Sequence, residues 1–184
     1  MIARFFAAAF LALTVVPAYA AYKADLPPLT PKGQFLVMTP DDATSSSKCI
    51  GNPITPLCAA ETMMAVRVRS KQDYRRIALG LDGGPLFSEL DSAGHTEIYR
   101  IIRSEILTDK RFPWPPKRNV QWRHNGLYMQ AGDIRIDIIS TPCGDEISLS
   151  ACGHVWFEPS AYIVRRQGDR WIVITAGKPY NLRK

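Results

Sequence analysis

The residues best suited to acid–base chemistry are His154 and two carboxylates that precede it, Asp145 and Glu146. A histidine that shares a site with a carboxylate can carry protons near neutral pH. His95 and His124 stand apart from this group, and the chain has no His-Glu-x-x-His motif. A single histidine beside a loop is more often a surface or packing residue. We therefore predict no catalytic residue and no cofactor, and the sequence favours a protein that is not an enzyme.

The four cysteines offer a second kind of chemistry. Cys49 and Cys58 are nine positions apart, and so are Cys143 and Cys152. The cysteines could instead form a redox site, or Cys143, Cys152 and His154 together could hold a metal. Against both alternatives, exported thiols are usually oxidised, and neither pair has Cys-x-x-Cys spacing. We predict two local disulfides, Cys49–Cys58 and Cys143–Cys152, and no metal site. Each would contribute about 2–3 kcal/mol by closing a short loop.

Aromatic and basic side chains are the main candidates for binding. Trp114 is the most unusual of them, because it lies between prolines in a loop that also carries several lysines and arginines. The same loop could instead be a stiff connection in which Trp114 packs on the body of the protein. The predicted binding residues are Trp114, Trp122, Tyr128, His154, Arg165, Arg166 and Arg170.

The N-terminus has the pattern of a secretory signal peptide. Arg4 supplies a positive charge, an apolar run extends from Phe5 to Val16, and Ala18-Tyr19-Ala20 fits a cleavage site. An uncleaved membrane anchor is the alternative, but the apolar run is shorter than the ~20 residues that span a bilayer. We predict cleavage after Ala20 and a periplasmic or secreted protein. The predicted organisation is a signal peptide at 1–20, a Pro/Ser-rich arm at 21–48 and one domain at 49–184.

The chain is basic, with a formal charge of +6 and a pI near 9.3. An exported protein seldom meets nucleic acid, but its positive charge could bind anionic envelope polymers or lipid head groups. The preferred interpretation is that a modest positive charge only keeps the protein soluble. The expected partners are an unknown protein, an anionic envelope polymer or a small molecule. We expect no nucleic acid and no membrane-spanning segment after cleavage.

Two helices are predicted in the first half of the domain. Thr55 is a good N-cap, and Pro56 suits the first position of a helix that continues through the following alanine- and methionine-rich residues. A second helix is predicted from Lys71 to Leu79, ended by Gly80. The segment Thr96–Thr108 fits either a helix or a strand, and its β-branched content favours a strand.

Antiparallel strands are predicted in the second half. Asn125-Gly126 and Gly168-Asp169 are turn signals for two hairpins, and the segment from Asp133 to Ser140 alternates apolar and polar residues. In the last hairpin we expect Arg166 to face Trp171. The predicted core face of that hairpin consists of Tyr162, Val164, Trp171 and Val173. The predicted fold class is α+β, with an N-terminal helix pair packed on a curved antiparallel sheet.

The order of elements resembles the NTF2-like (cystatin-like) superfamily. The resemblance is carried by the two helices, the later strands and the closing hairpin YIVRRQGDRWIVI, and it covers roughly residues 49–177. The opening CIGNPITPLCAAETMMA is also similar to small exported alphaproteobacterial proteins of unsettled function. The NTF2-like resemblance implies a conical cavity between sheet and helices, which hosts enzymes in some relatives and binds ligands or partners in others.

These features favour a non-catalytic exported binding or interaction module. The first alternative is an NTF2-like small-molecule pocket, with hydrolase or isomerase chemistry around His154 and Asp145. The second is an inhibitor of an envelope-degrading enzyme. A deep apolar cavity would favour the pocket, and a filled core with an exposed aromatic and basic patch would favour the interaction module.

Overall fold

The part of the chain that the structure describes forms two helices and a five-stranded antiparallel sheet, so the α+β class is confirmed. The computed structural model describes residues 25–41, 43–69, 72–81, 94–108, 129, 131–143, 152 and 158–177. The elements are β1 (Leu36–Met38), α1 (Pro56–Val68), α2 (Gln72–Leu79), β2 (Thr96–Ile106), β3 (Ile134–Cys143), β4 (Glu158–Gln167) and β5 (Arg170–Gly177). The predicted signal peptide and the hairpin predicted at Asn125-Gly126 lie outside the described residues.

Helix α1 begins where its sequence predicts. The side chain of Thr55 accepts a hydrogen bond from the backbone N–H of Cys58 at 3.1 Å, and Pro56 occupies the first turn. Small and flexible side chains then pack against the sheet without steric conflict. The buried apolar residues of α1 include Ala59, Ala60, Met64, Ala65 and Val68.

Helix α2 ends in a tight glycine cap. The N–H of Gly80 donates to the carbonyl oxygen of Ile77 at 3.1 Å, and the N–H of Leu81 donates to that of Arg76 at 3.0 Å. This pair of bonds is a Schellman motif, and it requires the left-handed backbone of Gly80, whose φ is +64°. The predicted stop at Gly80 is confirmed, whereas positions 70 and 71 at the predicted start lie outside the described residues.

The sheet is a meander in which each strand pairs with its neighbours in sequence, in the order β1-β2-β3-β4-β5. The segment that the sequence left ambiguous is a strand, β2, and it occupies a central position beside β3. A bulge lies between Ile101 and Arg103, where the register of β2 on β3 shifts by one residue. The short segment Leu36–Met38 forms β1 at the edge of the sheet.

The closing hairpin has the predicted register. Arg166 pairs with Trp171, Val164 pairs with Val173, and Gly168 in the turn has a φ of +64°. The core face predicted for this hairpin is confirmed, because Tyr162, Val164, Trp171 and Val173 all belong to the main buried cluster. A second bulge, between Ile163 and Val164, is a feature that the alternation of residues did not predict.

One apolar cluster joins the helices to the sheet. It contains residues of both helices and of all five strands, including Ala60, Met64, Tyr99, Ile136 and Trp171. In the part of the chain that the structure describes, side chains of the two helices and the sheet therefore belong to one buried cluster. Smaller clusters, one around Ile174 and one around Ile98, complete the buried apolar set.

The arm before α1 is held by polar contacts. The guanidinium of Arg69 donates to the Thr39 carbonyl oxygen at 3.1 Å, to the Ser45 hydroxyl at 3.2 Å and to the Tyr74 hydroxyl at 3.1 Å. Thr30 also exchanges two hydrogen bonds with the backbone of Ile101, at 2.9 and 3.0 Å. These contacts fix the segment between Thr30 and the first disulfide against the body of the domain.

Both predicted disulfides are confirmed. Cys49 is joined to Cys58 and Cys143 to Cys152, and the chain has no free cysteine. The first disulfide ties the loop before α1 to the first turn of that helix. The second joins the end of β3 to a residue nine positions later.

Candidate functional site

The candidate site is an open cleft of about 370 Å³ between the end of α2 and the start of β5. We call it the arginine cleft. Its lining residues are Asp73, Arg76, Ile77, Gly80, Leu81 and Arg170. All but the last come from α2 and its cap, and Arg170 follows the turn of the closing hairpin.

The helix presents one face to the cleft. Arg76 and Ile77 follow Asp73 by three and four positions, and Gly80 follows them by four and three, so these residues lie on the same side of α2. The opposite side of α2 is buried in the core through Ala78 and Leu79. The amphipathic pattern of this short helix therefore aims its charged face at the hairpin.

Gly80 brings the helix end close to β5. A Cβ atom at this position would lie 2.6 Å from Cγ2 of Ile172, closer than side-chain atoms pack. The absence of a side chain thus allows α2 to end against the hairpin. The positive φ of Gly80 also requires glycine, because a residue with a Cβ atom is strained in the left-handed backbone region.

The charges of the cleft are mainly positive. Arg76 is 38% exposed, and its Nη1 lies 4.0 Å from Oδ1 of Asp73, which is itself 77% exposed. The Nε of Arg76 is buried and has no hydrogen-bond partner among the described residues. Arg170 is exposed on the facing side. Two guanidinium groups and one carboxylate therefore line the cleft, and its net charge is positive.

The three predicted arginines differ in their surroundings. Arg165 makes a two-pronged ion pair with the buried Asp133, at 2.7 and 2.9 Å, which fixes its guanidinium on the sheet. Arg166 is exposed, and its Nε donates to the carbonyl oxygen of Gly168 at 3.2 Å. Only Arg170 of the three lines the cleft. The other predicted binding residues, Trp114, Trp122, Tyr128 and His154, lie outside the described residues, so their roles stay predictions.

The helix side of the cleft was not predicted from the sequence. The spacing of Asp73, Arg76 and Ile77 already places them on one helical face, and this signal was available. The position of Arg170 opposite that face depends on tertiary packing, because more than ninety positions separate Arg76 from Arg170 in the sequence. Spacing alone could not have paired them.

A buried carboxyl lies near the first disulfide. Glu61 is buried on α1, and its Oε1 accepts a hydrogen bond from the Tyr99 hydroxyl at 2.5 Å. Burial raises the pKa of Glu61, while hydrogen bonds from Ser47 and Tyr99 oppose that rise. The pKa of Tyr99 is also raised, first by burial and then by the charge of Glu61. The pair can therefore hold a proton inside the domain at mildly acidic pH.

A second buried carboxyl lies near the end of α1. Glu97 on β2 is ion-paired with Arg67, and its Oε2 lies 4.0 Å from Nε2 of His95 and has no hydrogen-bond partner among the described residues. The charges of Arg67 and Glu97 both affect the pKa of Tyr162. Its pKa is raised chiefly by burial, with Arg67 acting to lower it and Glu97 to raise it. This group is a charged pair held at the boundary of the core.

Two further observations concern the described part of the chain alone. His, Cys, Asp and Glu side chains there do not gather in threes or more where a metal ion could bind. Neither helix in the described ranges is long and apolar enough to cross a membrane.

A smaller concavity of about 240 Å³ lies where residues 25–28 meet the start of α1.

Comparisons with protein-family models, with curated proteins and with solved structures gave no match to this chain. The NTF2-like resemblance therefore rests on the sequence features that suggested it. The function has to be argued from the geometry of the candidate site.

Proposed function

We propose that the protein is an exported, non-catalytic binding module that holds an anionic group of a partner in the arginine cleft. The observation that carries this proposal is the convergence of Arg76 and Arg170, from two separate elements, on one cleft. Guanidinium groups bind carboxylate and phosphate oxygens through short, charge-assisted hydrogen bonds. The side chain of Arg76 is 38% exposed, so part of it can reach a partner in the cleft.

The openness of the cleft favours a group carried by a large partner. Leu81 is 42% exposed, and Asp73 on the rim is largely exposed. A pocket for a free small molecule normally buries most of its ligand, whereas these residues leave one side of the cleft to solvent. We therefore name an anionic envelope polymer as the partner, bound through repeated carboxylate or phosphate groups.

Export is part of the proposal. Two disulfides support an oxidising compartment, and the N-terminal pattern supports cleavage after Ala20. The shared core of the two helices and the sheet supports the NTF2-like resemblance.

The test uses a synthetic polyanion, poly-L-glutamate, and isothermal titration at low salt. Arg170→Gln and Arg76→Gln should each weaken binding about threefold to tenfold, since each removes one exposed charge-assisted contact worth about 1 kcal/mol. Asp73→Asn should strengthen binding about twofold, because it removes a like charge from the rim. The same titration with polyphosphate distinguishes a preference for carboxylate from one for phosphate.

Arg166→Gln is the matched control. Arg166 lies on the same hairpin, is exposed and carries the same charge, but it does not line the cleft. We expect its affinity to stay within twofold of the wild type. If the three arginine substitutions weakened binding equally, net charge and not the cleft would be responsible, and the proposal would be wrong. It would be wrong also if neither polyanion bound the wild type.

A further inference from the structure

The two disulfides of this chain differ in how exposed their cysteine residues are. Cys49 is partly exposed, whereas Cys58 is only 3% exposed, and Cys143 and Cys152 are both buried. A thiolate displaces one sulfur of a disulfide by approaching the other from solvent, so accessibility decides which bond reacts and which sulfur is attacked. In this chain an incoming thiolate would meet the sulfur of Cys49 first.

Cys58 is placed to leave as a thiolate. It lies in the first turn of α1, where the partial positive charge of the helix N-terminus stabilises an anion. The hydroxyl of Thr55 donates a hydrogen bond to its Sγ at 2.8 Å. Both effects lower the pKa of a thiol, and a sulfur with a lower pKa is a better leaving group.

A buried proton carrier lies beside Cys49. Oε2 of Glu61 is 4.0 Å from Sγ of Cys49, and the Ser47 hydroxyl is 3.4 Å from the same sulfur. Tyr99 faces Glu61 from β2, and Lys48 directs its ammonium to the carbonyl oxygens of Ala43 and Ser45. Because burial raises the pKa of Glu61, this carboxyl can hold a proton where an ordinary glutamate has lost it.

We propose that Cys49–Cys58 is a redox-active disulfide that exchanges with an external dithiol, and that Glu61 delivers the proton to Cys49. The thiolate of the dithiol attacks Sγ of Cys49, the Cys49–Cys58 bond breaks, and Cys58 leaves as a thiolate. The second thiolate of the dithiol then attacks its own sulfur in the mixed disulfide, and Cys49 departs with a proton from Glu61. The dithiol is oxidised to a disulfide after releasing its two protons to solvent, and the protein gains two electrons. Solvent then returns one proton to Glu61, and Cys58 remains a thiolate.

The first test measures which disulfide reacts in the folded protein. Oxidised protein is treated with dithiothreitol without denaturant, quenched by alkylation, and analysed by peptide mass spectrometry over time. Thiols at Cys49 and Cys58 should appear at least tenfold faster than thiols at Cys143 and Cys152. Glutathione, a monothiol, should form its mixed disulfide on Cys49. Equal rates for both pairs, or a mixed disulfide on Cys58, would overturn the proposal.

The second test isolates the role of Glu61. The rate at which dithiothreitol reduces Cys49–Cys58 is measured between pH 5 and pH 8 and divided by the rate at which it reduces oxidised glutathione. The division cancels the effect of pH on the ionisation of dithiothreitol itself. This ratio should fall as pH rises in the wild type, because Glu61 loses its proton. In Glu61→Gln the ratio should be lower by about tenfold at the acidic end and independent of pH.

Glu97→Gln is the control for this second test, because it also removes a buried carboxylate but lies among Arg67 and His95 rather than beside the disulfide. It should keep the wild-type pH profile. A profile for Glu61→Gln that matches the wild type would overturn the role of Glu61, whether or not Cys49–Cys58 is the faster disulfide. Circular dichroism confirms that both variants are folded before the rates are compared.

Discussion

At the residue scale, the buried carboxyl of Glu61 links the stability of the domain to pH. Its pKa is raised by burial, so the folded state binds a proton more tightly than the unfolded chain does. The stabilisation is complete below the pKa of an unfolded glutamate, near 4.5, and it is lost as pH rises through the pKa of the folded state. A neutral side chain at this position would avoid the free-energy cost of ionising a buried carboxyl at neutral pH.

We predict that Glu61→Gln flattens the pH dependence of stability. The amide is always neutral and can still accept the hydrogen bond from Tyr99, so it imitates the protonated acid. The free energy of unfolding of the wild type should fall relative to that of the variant as pH rises from about 4.5 towards neutrality, by up to about 1.4 kcal/mol per pH unit. Urea denaturation at a series of pH values measures this difference.

A constant difference between the two proteins across the pH range would contradict a raised pKa for Glu61. Wild type and variant are compared because the other carboxyls titrate in both proteins, so their contributions to the pH dependence of stability cancel. The sequence did not predict this residue, since a glutamate on an amphipathic helix is normally expected on the solvent side. Its burial depends on Tyr99, which arrives from a strand thirty-eight positions later.

At the scale of the elements, the junction of α2 with the closing hairpin creates the arginine cleft. Gly80 is required there by two separate constraints, its positive φ and the closeness of Ile172. Gly168 in the hairpin turn has the same φ of +64° but has no atom within 4 Å of where a Cβ would lie. Substitutions at the two glycines therefore distinguish the free-energy cost of backbone strain, present at both positions, from the cost of a steric clash with Ile172, present at Gly80 alone.

We predict that Gly80→Ala is more destabilising than Gly168→Ala. Both substitutions force a residue with a Cβ into the left-handed region, which costs about 1–2 kcal/mol. Gly80→Ala should cost about 1–3 kcal/mol more, because Ile172 is buried and branched at Cβ and cannot easily move aside. Chemical denaturation of the two variants measures the difference. Equal losses of stability would show that α2 and β5 are less tightly packed than described.

Local sequence signals predicted much at this scale. Thr55-Pro56 indicated the start of α1, Gly80 indicated the end of α2, and Gly168-Asp169 indicated the turn of the last hairpin and its register. These signals act within a few residues, so the sequence alone contains them. The bulges at Ile101 and Ile163 were not predicted, because they depend on how each strand adjusts to its neighbour.

At the scale of the whole molecule, two disulfides close short loops around the α+β core. Their pairing was predicted from equal spacing and from the oxidising compartment that the N-terminal pattern implies. The arginine cleft was only partly predicted. Arg170 was among the proposed binding residues, but its partner Arg76 was not, because their meeting requires the packing of α2 on the closing hairpin.

We predict that replacing both Cys143 and Cys152 by alanine lowers the stability of the domain by about 2–3 kcal/mol, through the greater entropy of the unfolded chain. Thermal unfolding followed by circular dichroism should show a lower Tm than that of the oxidised wild type. The wild type treated with a reductant under denaturing conditions and refolded is the matched reference. An unchanged Tm would contradict a stabilising role for this disulfide.

The most direct measurement of the central claim is to map where a polyanion touches the folded protein. Uniformly ¹⁵N-labelled protein is titrated with hexaglutamate at low salt, and the backbone amide shifts are followed by NMR. Binding at the arginine cleft predicts that the largest shifts fall between Asp73 and Leu81 and at Arg170, and that they disappear in Arg170→Gln but persist in Arg166→Gln. Shifts centred elsewhere on the domain, or equal shifts in the two variants, would contradict the account.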